Sequence, residues 1–292
     1  MDAIRFVNIE NVSEAAQQDD FKRPVQWKVA GPDTTLDASA VCYHMAAKLQ
    51  KSQKVAVGFI NSSWGGTTIQ GWISAGALRT LKPYEQGVAA VATYARDRAQ
   101  AVRDVERLQE QWWDAHDRNA KAQRAWIAPD FNDAAWPSMT PNGPWKESGI
   151  AAFAGFDGVA WFRTSVTLTE RQASSANQLL LGQVDTFDTT WVNGVRVGSV
   201  STGWVWREYG VPAGVFKPGR NVIAMRVLNA GGGGLTSAPA KRGIKTADGE
   251  FIALSGPWKY QLGMRATGLK VDPAPWDVPT SLTTLYNAMI AP

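Results

Sequence analysis

Hydrophobic positions along the chain follow two periods, and the change from one to the other divides it. Over residues 1–82, strand and helix patterns alternate. "IRFVNI" reads as a strand, and "DASAVCYHMAAKLQKS" spaces its apolar residues for a helix with Asp37 or Ser39 as its cap. The run Val55, Ala56, Val57, Gly58, Phe59, Ile60 is short and partly β-branched, as in a buried parallel strand. Such a βαβ rhythm predicts a parallel sheet. Residues 83–125 have few glycines or prolines and place Val88, Val91, Ala92, Ala95, Ala99, Val102, Val105, Leu108 and Trp112 three or four positions apart. That spacing predicts one long helix with one buried face.

Beyond Trp126 the period shortens. "WFRTSVTL", "QLLLGQV", "DTTWVNGVRVG", "NVIAMRVLN" and "KYQLGM" are short apolar segments separated by Gly, Pro, Asn and Asp. They predict an antiparallel sandwich over residues 126–265. Asn193-Gly194 between valines predicts a two-residue hairpin, and Pro218-Gly219 a turn before another strand. Residues 266–292 are Pro-rich and then briefly helical, and read as a return to the first domain.

Composition narrows the function classes. The 292 residues are 45% apolar and 19% charged, as in a globular protein with room for two cores. A formal charge of +4, with dispersed Lys and Arg, lacks the footprint of a nucleic-acid binder. No apolar run reaches membrane-spanning length and no signal peptide opens the chain. The single Cys42 excludes an internal disulfide framework and is read as a structural thiol. Fourteen Trp suit either a dense core or stacking on sugar rings.

The candidate chemistry centres on "VAVGFINSSWGGTTIQGWIS", where Asn61, Ser62, Ser63, Trp64, Gly65, Gly66, Thr67 and Thr68 follow the strand. Open α/β sheets build ligand sites at the C-terminal ends of strands. Trp64, Gly65, Gly66, Thr67, Ile69 and Trp72 resemble a conserved block of the sialate O-acetylesterase family, carbohydrate esterases of the SGNH-hydrolase superfamily. Downstream, "DFNDAAWPSM", "FDGVAWFRTSVTL", "QVDTFDTTWVNGVRVG" and "KPGRNVIAMRVLNAGGGG" resemble the galactose-binding-like jelly roll inserted in those enzymes.

The resemblance implies an α/β domain with a partial flavodoxin-like SGNH sheet and a long helix, plus an all-β jelly-roll sandwich insert. It implies a Ser-His acyl hydrolase that removes acetyl groups from sialate or polysaccharide, without cofactor or metal, and is exported to the periplasm or beyond. Gly65 or Gly66 would supply an oxyanion-hole N–H, and sequence does not choose between them. Ser63, Trp64 and Thr67 would support them. The family's Gly-Gln-Ser-Asn nucleophile block and Asp-x-x-His block are absent, so the chain is expected to be the central portion of a longer esterase and inactive alone. Acetylated carbohydrate and the missing segments would be its partners.

The residues themselves leave other openings. His44 is read as a packed or partly exposed helix residue and His116 as a surface ion-pair partner, so Ser62 and Ser63 lack a base at a suitable spacing. Asp185 and Asp188 are read as loop-satisfying carboxylates rather than a sugar or calcium site. Trp204, Trp206, Arg207 and Tyr209, with Glu208, are candidates for facing a glycan. The alternative to an esterase is a non-catalytic carbohydrate-binding or structural module.

Overall fold

The computed structural model describes residues 3–12, 20–65, 69–184, 187–200, 205–229, 233–235 and 237–266. The chain forms two compact units that divide between Ala95 and Arg96.

In the first unit, β1 (Ile4–Asn8) pairs antiparallel with the short β2 (Lys28–Val29). Helix α1 (Ala40–Gln53) follows, and β3 (Val57–Asn61) then pairs parallel with β1, Phe6 lying opposite Phe59. The predicted βαβ pairing is therefore present. Ser39 is the helix cap, its hydroxyl accepting from the Cys42 N–H. Ala46 of α1 is buried on the stacked rings of Phe6 and Phe59, with Cys42 and Tyr43 beside it. The sheet order is β2-β1-β3, and these three strands do not show a flavodoxin-like SGNH sheet. Helices α2 (Ala75–Arg79) and α3 (Glu85–Arg96) complete the described part of this unit.

The predicted single helix is broken. Asp97 adopts extended dihedrals and its carboxylate accepts from the Gln100 N–H, so it caps a new helix, α4 (Arg98–His116). An aspartate that satisfies an orphan N–H competes well with continuing the previous helix. The break resets the buried face. Ala99 and Val102 lie exposed, while Ala101, Gln109, Trp112 and Trp113 are buried. A short α5 (Ala120–Gln123) follows.

The second unit carries two antiparallel sheets, and all five predicted apolar segments lie in its strands. In chain order these are β4 (Ser138–Met139), β5 (Gly158–Leu168), α6 (Glu170–Ser175), β6 (Ala176–Gln183), β7 (Phe187–Val192), β8 (Val195–Val200), β9 (Trp206–Gly210), β10 (Gly219–Asn229), β11 (Gly243–Thr246), β12 (Phe251–Ala253) and β13 (Trp258–Arg265). One sheet runs β4-β13-β5-β10-β7-β8 and the other β12-β11-β6-β9. Asn193 and Gly194 both take positive φ between β7 and β8, the conformation of a type I′ hairpin turn.

Alternation along the strands creates two separate aromatic regions. Phe162, Leu179, Ile223, Met225, Ile244 and Trp258 fill the space between the sheets. On the opposite face of the six-stranded sheet, Trp161, Phe187, Trp191 and Leu228 pack against Trp112 and Trp113 of α4. This helix is therefore a third layer. The Arg226 guanidinium lies 4.1 Å from the Trp113 ring centroid and within 5.5 Å of Trp161 and Trp191, while its Nη2 bonds Glu110 at 2.8 Å. Burial pulls the Arg226 pKa down to about 10, against the opposing effect of Glu110. Arg196 adds a second tie from β8 to Glu106 and Gln109 of the same helix.

If α4 is an integral layer, Trp113→Ala should cost about 3–5 kcal/mol, the range for truncating a buried large aromatic. Urea unfolding followed by far-UV circular dichroism reads the loss directly. A cost below about 0.5 kcal/mol, the level of an ordinary surface change, would contradict this packing.

Candidate functional site

At the C-terminal ends of β1 and β3, side chains of three residues form a hydrogen-bonded chain. The Ser63 hydroxyl donates to Asn61 Oδ1 at 2.9 Å, Asn61 Nδ2 donates to Asn8 Oδ1, and Asn8 Nδ2 donates to the Asp37 carbonyl. Ser63 thus rests on a neutral amide, which cannot take its proton. Trp64 is half-buried and Gly65 lies exposed in a turn. Gly66 and Thr67 lie outside the described residues. His44 meets the Tyr43 ring edge-on. His116 stacks on Trp112 at 4.2 Å, and its Nδ1 donates to the Trp112 carbonyl.

A different polar cluster dominates the second unit. Asp188 points inward from β7, and Arg207 and Tyr209 point inward from β9 in the opposing sheet. Arg207 Nε donates to Asp188 Oδ1 at 2.8 Å, with both side chains fully buried. The Tyr209 hydroxyl lies 2.9 and 2.8 Å from the two carboxylate oxygens, and the Thr190 hydroxyl donates to Oδ2. The remaining Arg207 N–H groups reach the carbonyls of Val205 and Val200. Ser199 donates to the Asp188 carbonyl. Burial, reinforced by the adjacent Asp188 charge, holds the Tyr209 hydroxyl well above its usual titration range. A Cβ on Gly198 of β8 would overlap the Tyr209 ring, so this close approach requires glycine.

This cluster separates the four glycan-facing candidates. Arg207 and Tyr209 face the interior, where no sugar reaches them. Trp204 lies outside the described residues, as does Asp185. Trp206 alternates with the inward pair and is 47% exposed. Across the outer face of the same sheet, Trp206 pairs with Gln183, Glu208 with Leu180, and Gly210 with Gln178. Gln178 pairs with Lys245, which pairs with Phe251. Gly182, at a φ of +75°, makes the register shift in β6 that brings Gln183 beside Trp206. At the far edge the Phe251 ring lies across the backbone of Gly243, where a Cβ would collide with it. Sequence reasoning missed Gln178, Lys245 and Phe251. Their outward positions follow from strand alternation, but which strands adjoin is not written in any one segment.

Among the described residues, no group of three His, Cys, Asp or Glu side chains is placed to hold a metal ion. No described helix is long and apolar enough to cross a membrane.

No protein-family model matches the chain, and no curated protein matches it. Solved structures similar to parts of it include a β-glucuronidase from an uncultured Clostridium species. That match has 15% identity and a TM-score of 0.33, covering 38% of this chain and 19% of the other. The Bacteroides uniformis β-glucuronidase matches at 19% identity and a TM-score of 0.31, covering 47% and 16%. A β-glycosidase from Bacteroides vulgatus matches at 22% identity and a TM-score of 0.29, covering 37% and 16%. The chain thus spans less than a fifth of the length of these structures.

These findings correct the sequence expectation. The sialate O-acetylesterase family, the O-acetylesterase function and the carboxylic-ester hydrolase class are not supported by any family model or curated protein, and the structures named are glycosidases. Gly65 lies in a turn after a parallel strand, and no acyl-transfer role is assigned to it.

The buried network makes a pH-dependent prediction. Replacing Tyr209 with Phe leaves Asp188 short of one donor and should cost about 1–3 kcal/mol near neutral pH. Because the folded-state pKa of Tyr209 is raised, the unfolded tyrosine ionises first as pH climbs past 10. Native stability then falls, whereas Tyr209→Phe has no such group. The stability gap should therefore narrow above pH 10 in denaturant titrations across that range. A gap that widens there would contradict the buried, protonated tyrosine.

Proposed function

We propose that the sandwich unit is a non-catalytic carbohydrate-binding module. The observation that carries this reading is the half-exposed indole of Trp206, on a strand whose alternate side chains are locked inward. An indole face stacks on the C–H face of a sugar ring, and nearby polar side chains can bond the hydroxyls.

A non-catalytic role fits the condition of the carboxylates. Glycoside hydrolysis commonly needs two carboxyl groups flanking the scissile bond. Asp188 lies between the sheets under an arginine and a tyrosine, and Glu110 and Asp133 are ion-paired to Arg226 and Arg163, which leaves Glu208 as the exposed carboxylate on the Trp206 strand. The first unit contributes no assigned chemistry to this reading.

Affinity electrophoresis of the intact chain through gels containing neutral polysaccharides tests it. Retardation by at least one polysaccharide is expected, with loss of the retardation in Trp206→Ala and no reducing sugar released. Migration unaffected by every polysaccharide would contradict binding, and steady release of reducing sugar would contradict the non-catalytic role.

A further inference from the structure

We infer that the outer face of the four-stranded sheet is the binding site, and that its ligand is an extended, uncharged oligosaccharide lying across the strands from Trp206 to Phe251. This inference rests on the carbohydrate-binding reading above and specifies the site and the ligand class.

Three features carry it. Aromatic rings stand at both edges of this face. Trp206 on β9 is 47% exposed and Phe251 on β12 is 44% exposed. With order β12-β11-β6-β9, the two edge strands are three spacings apart, about 14 Å. Phe251 lies in the row of Gly210 rather than of Trp206, so the two positions are also offset along the strands by about 13 Å. One sugar ring cannot touch both aromatics, but a chain of several can.

The ground between the rings mixes polar side chains with Leu180, which is partly buried. Glu208, Gln178 and Lys245 are exposed there, offering carboxylate, amide and ammonium groups to hydroxyls. Among the described outward residues of these four strands, the charged ones are one acid and one base, Glu208 and Lys245, which suits a neutral chain better than a charged one. On the opposite side of the sandwich, α4 occupies the Trp161 and Trp191 rings.

The face on which each aromatic stands is set by its surroundings. Trp206 cannot rotate inward without displacing Arg207 and Tyr209 from Asp188, because alternate residues occupy opposite faces. Phe251 rests on the backbone of Gly243, where a larger residue would lift it away.

The test is isothermal titration of the intact chain with xylohexaose, cellohexaose and mannohexaose. The matching disaccharides and hexagalacturonic acid serve as comparisons. At least one neutral hexasaccharide should bind, and more tightly than its disaccharide. Trp206→Ala should weaken that hexasaccharide by about tenfold or more, as for a principal aromatic contact. Phe251→Ala should weaken the hexasaccharide while leaving the disaccharide, which reaches one ring only, unchanged. Unaltered circular dichroism and thermal midpoint establish that both variants are folded, and Glu208→Gln offers a second, milder probe of the same face.

Equal affinity for disaccharide and hexasaccharide, tighter binding of hexagalacturonic acid, or indifference to Phe251→Ala would each overturn the extended neutral site. In those cases carbohydrate binding itself would still stand. Failure of every sugar to bind would overturn both the site and the reading on which it rests.

Discussion

The sandwich depends on one buried interaction, the pairing of Asp188 with Arg207 and Tyr209 across the gap between its sheets. Taking an ion pair out of water is costly unless the remaining hydrogen-bonding positions are filled. Here they are filled by Tyr209, Thr190 and the carbonyls of Val200 and Val205. Loss of one partner would strand a charge in the core, so β9 cannot slip by one residue. With a period of two, that register also decides the outward set, and Trp206 and Glu208 are in it. A core constraint thus determines which side chains meet solvent on the opposite side of the strand.

The two faces of the sandwich have opposite fates. The six-stranded sheet turns an aromatic surface outward, and α4 covers it with Trp112, Trp113 and an arginine held among indoles. Trp145 and Trp258 are buried between the sheets. Much of the tryptophan content is therefore packing, so the count in itself says little about sugars. On the four-stranded sheet, Trp206 and Phe251 are exposed beside polar side chains.

Local structure and the coarse βαβ and antiparallel patterns were legible in the sequence, whereas which side chains meet across the sandwich was not. Strand alternation in "WFRTSVTL", the Asn193-Gly194 turn and the Ser39 cap are short-range effects, and each appears where its residues predict. The break at Asp97 was readable in principle, since a capping aspartate stands inside the helical run. Helix propensity in the surrounding Ala, Arg and Gln masked it. Arg207 and Tyr209 look like surface polar residues in one dimension. Their burial follows from Asp188, nineteen and twenty-one positions away on another sheet. The Trp64-Gly65 block read correctly as a turn ending a strand, but its likeness to an esterase motif did not extend to chemistry.

The central claim is that Trp206, held outward by the Asp188 network, contacts carbohydrate while the buried Trp113, Trp161 and Trp258 serve as packing. Indole N–H resonances of the intact chain, labelled with 15N-tryptophan, test it most directly. Trp206 is assigned by the resonance missing in Trp206→Phe. On titration with the neutral hexasaccharide that binds best, the Trp206 signal should move progressively while those of Trp113, Trp161 and Trp258 stay in place. A stationary Trp206 signal alongside shifts in the buried indoles would contradict the account.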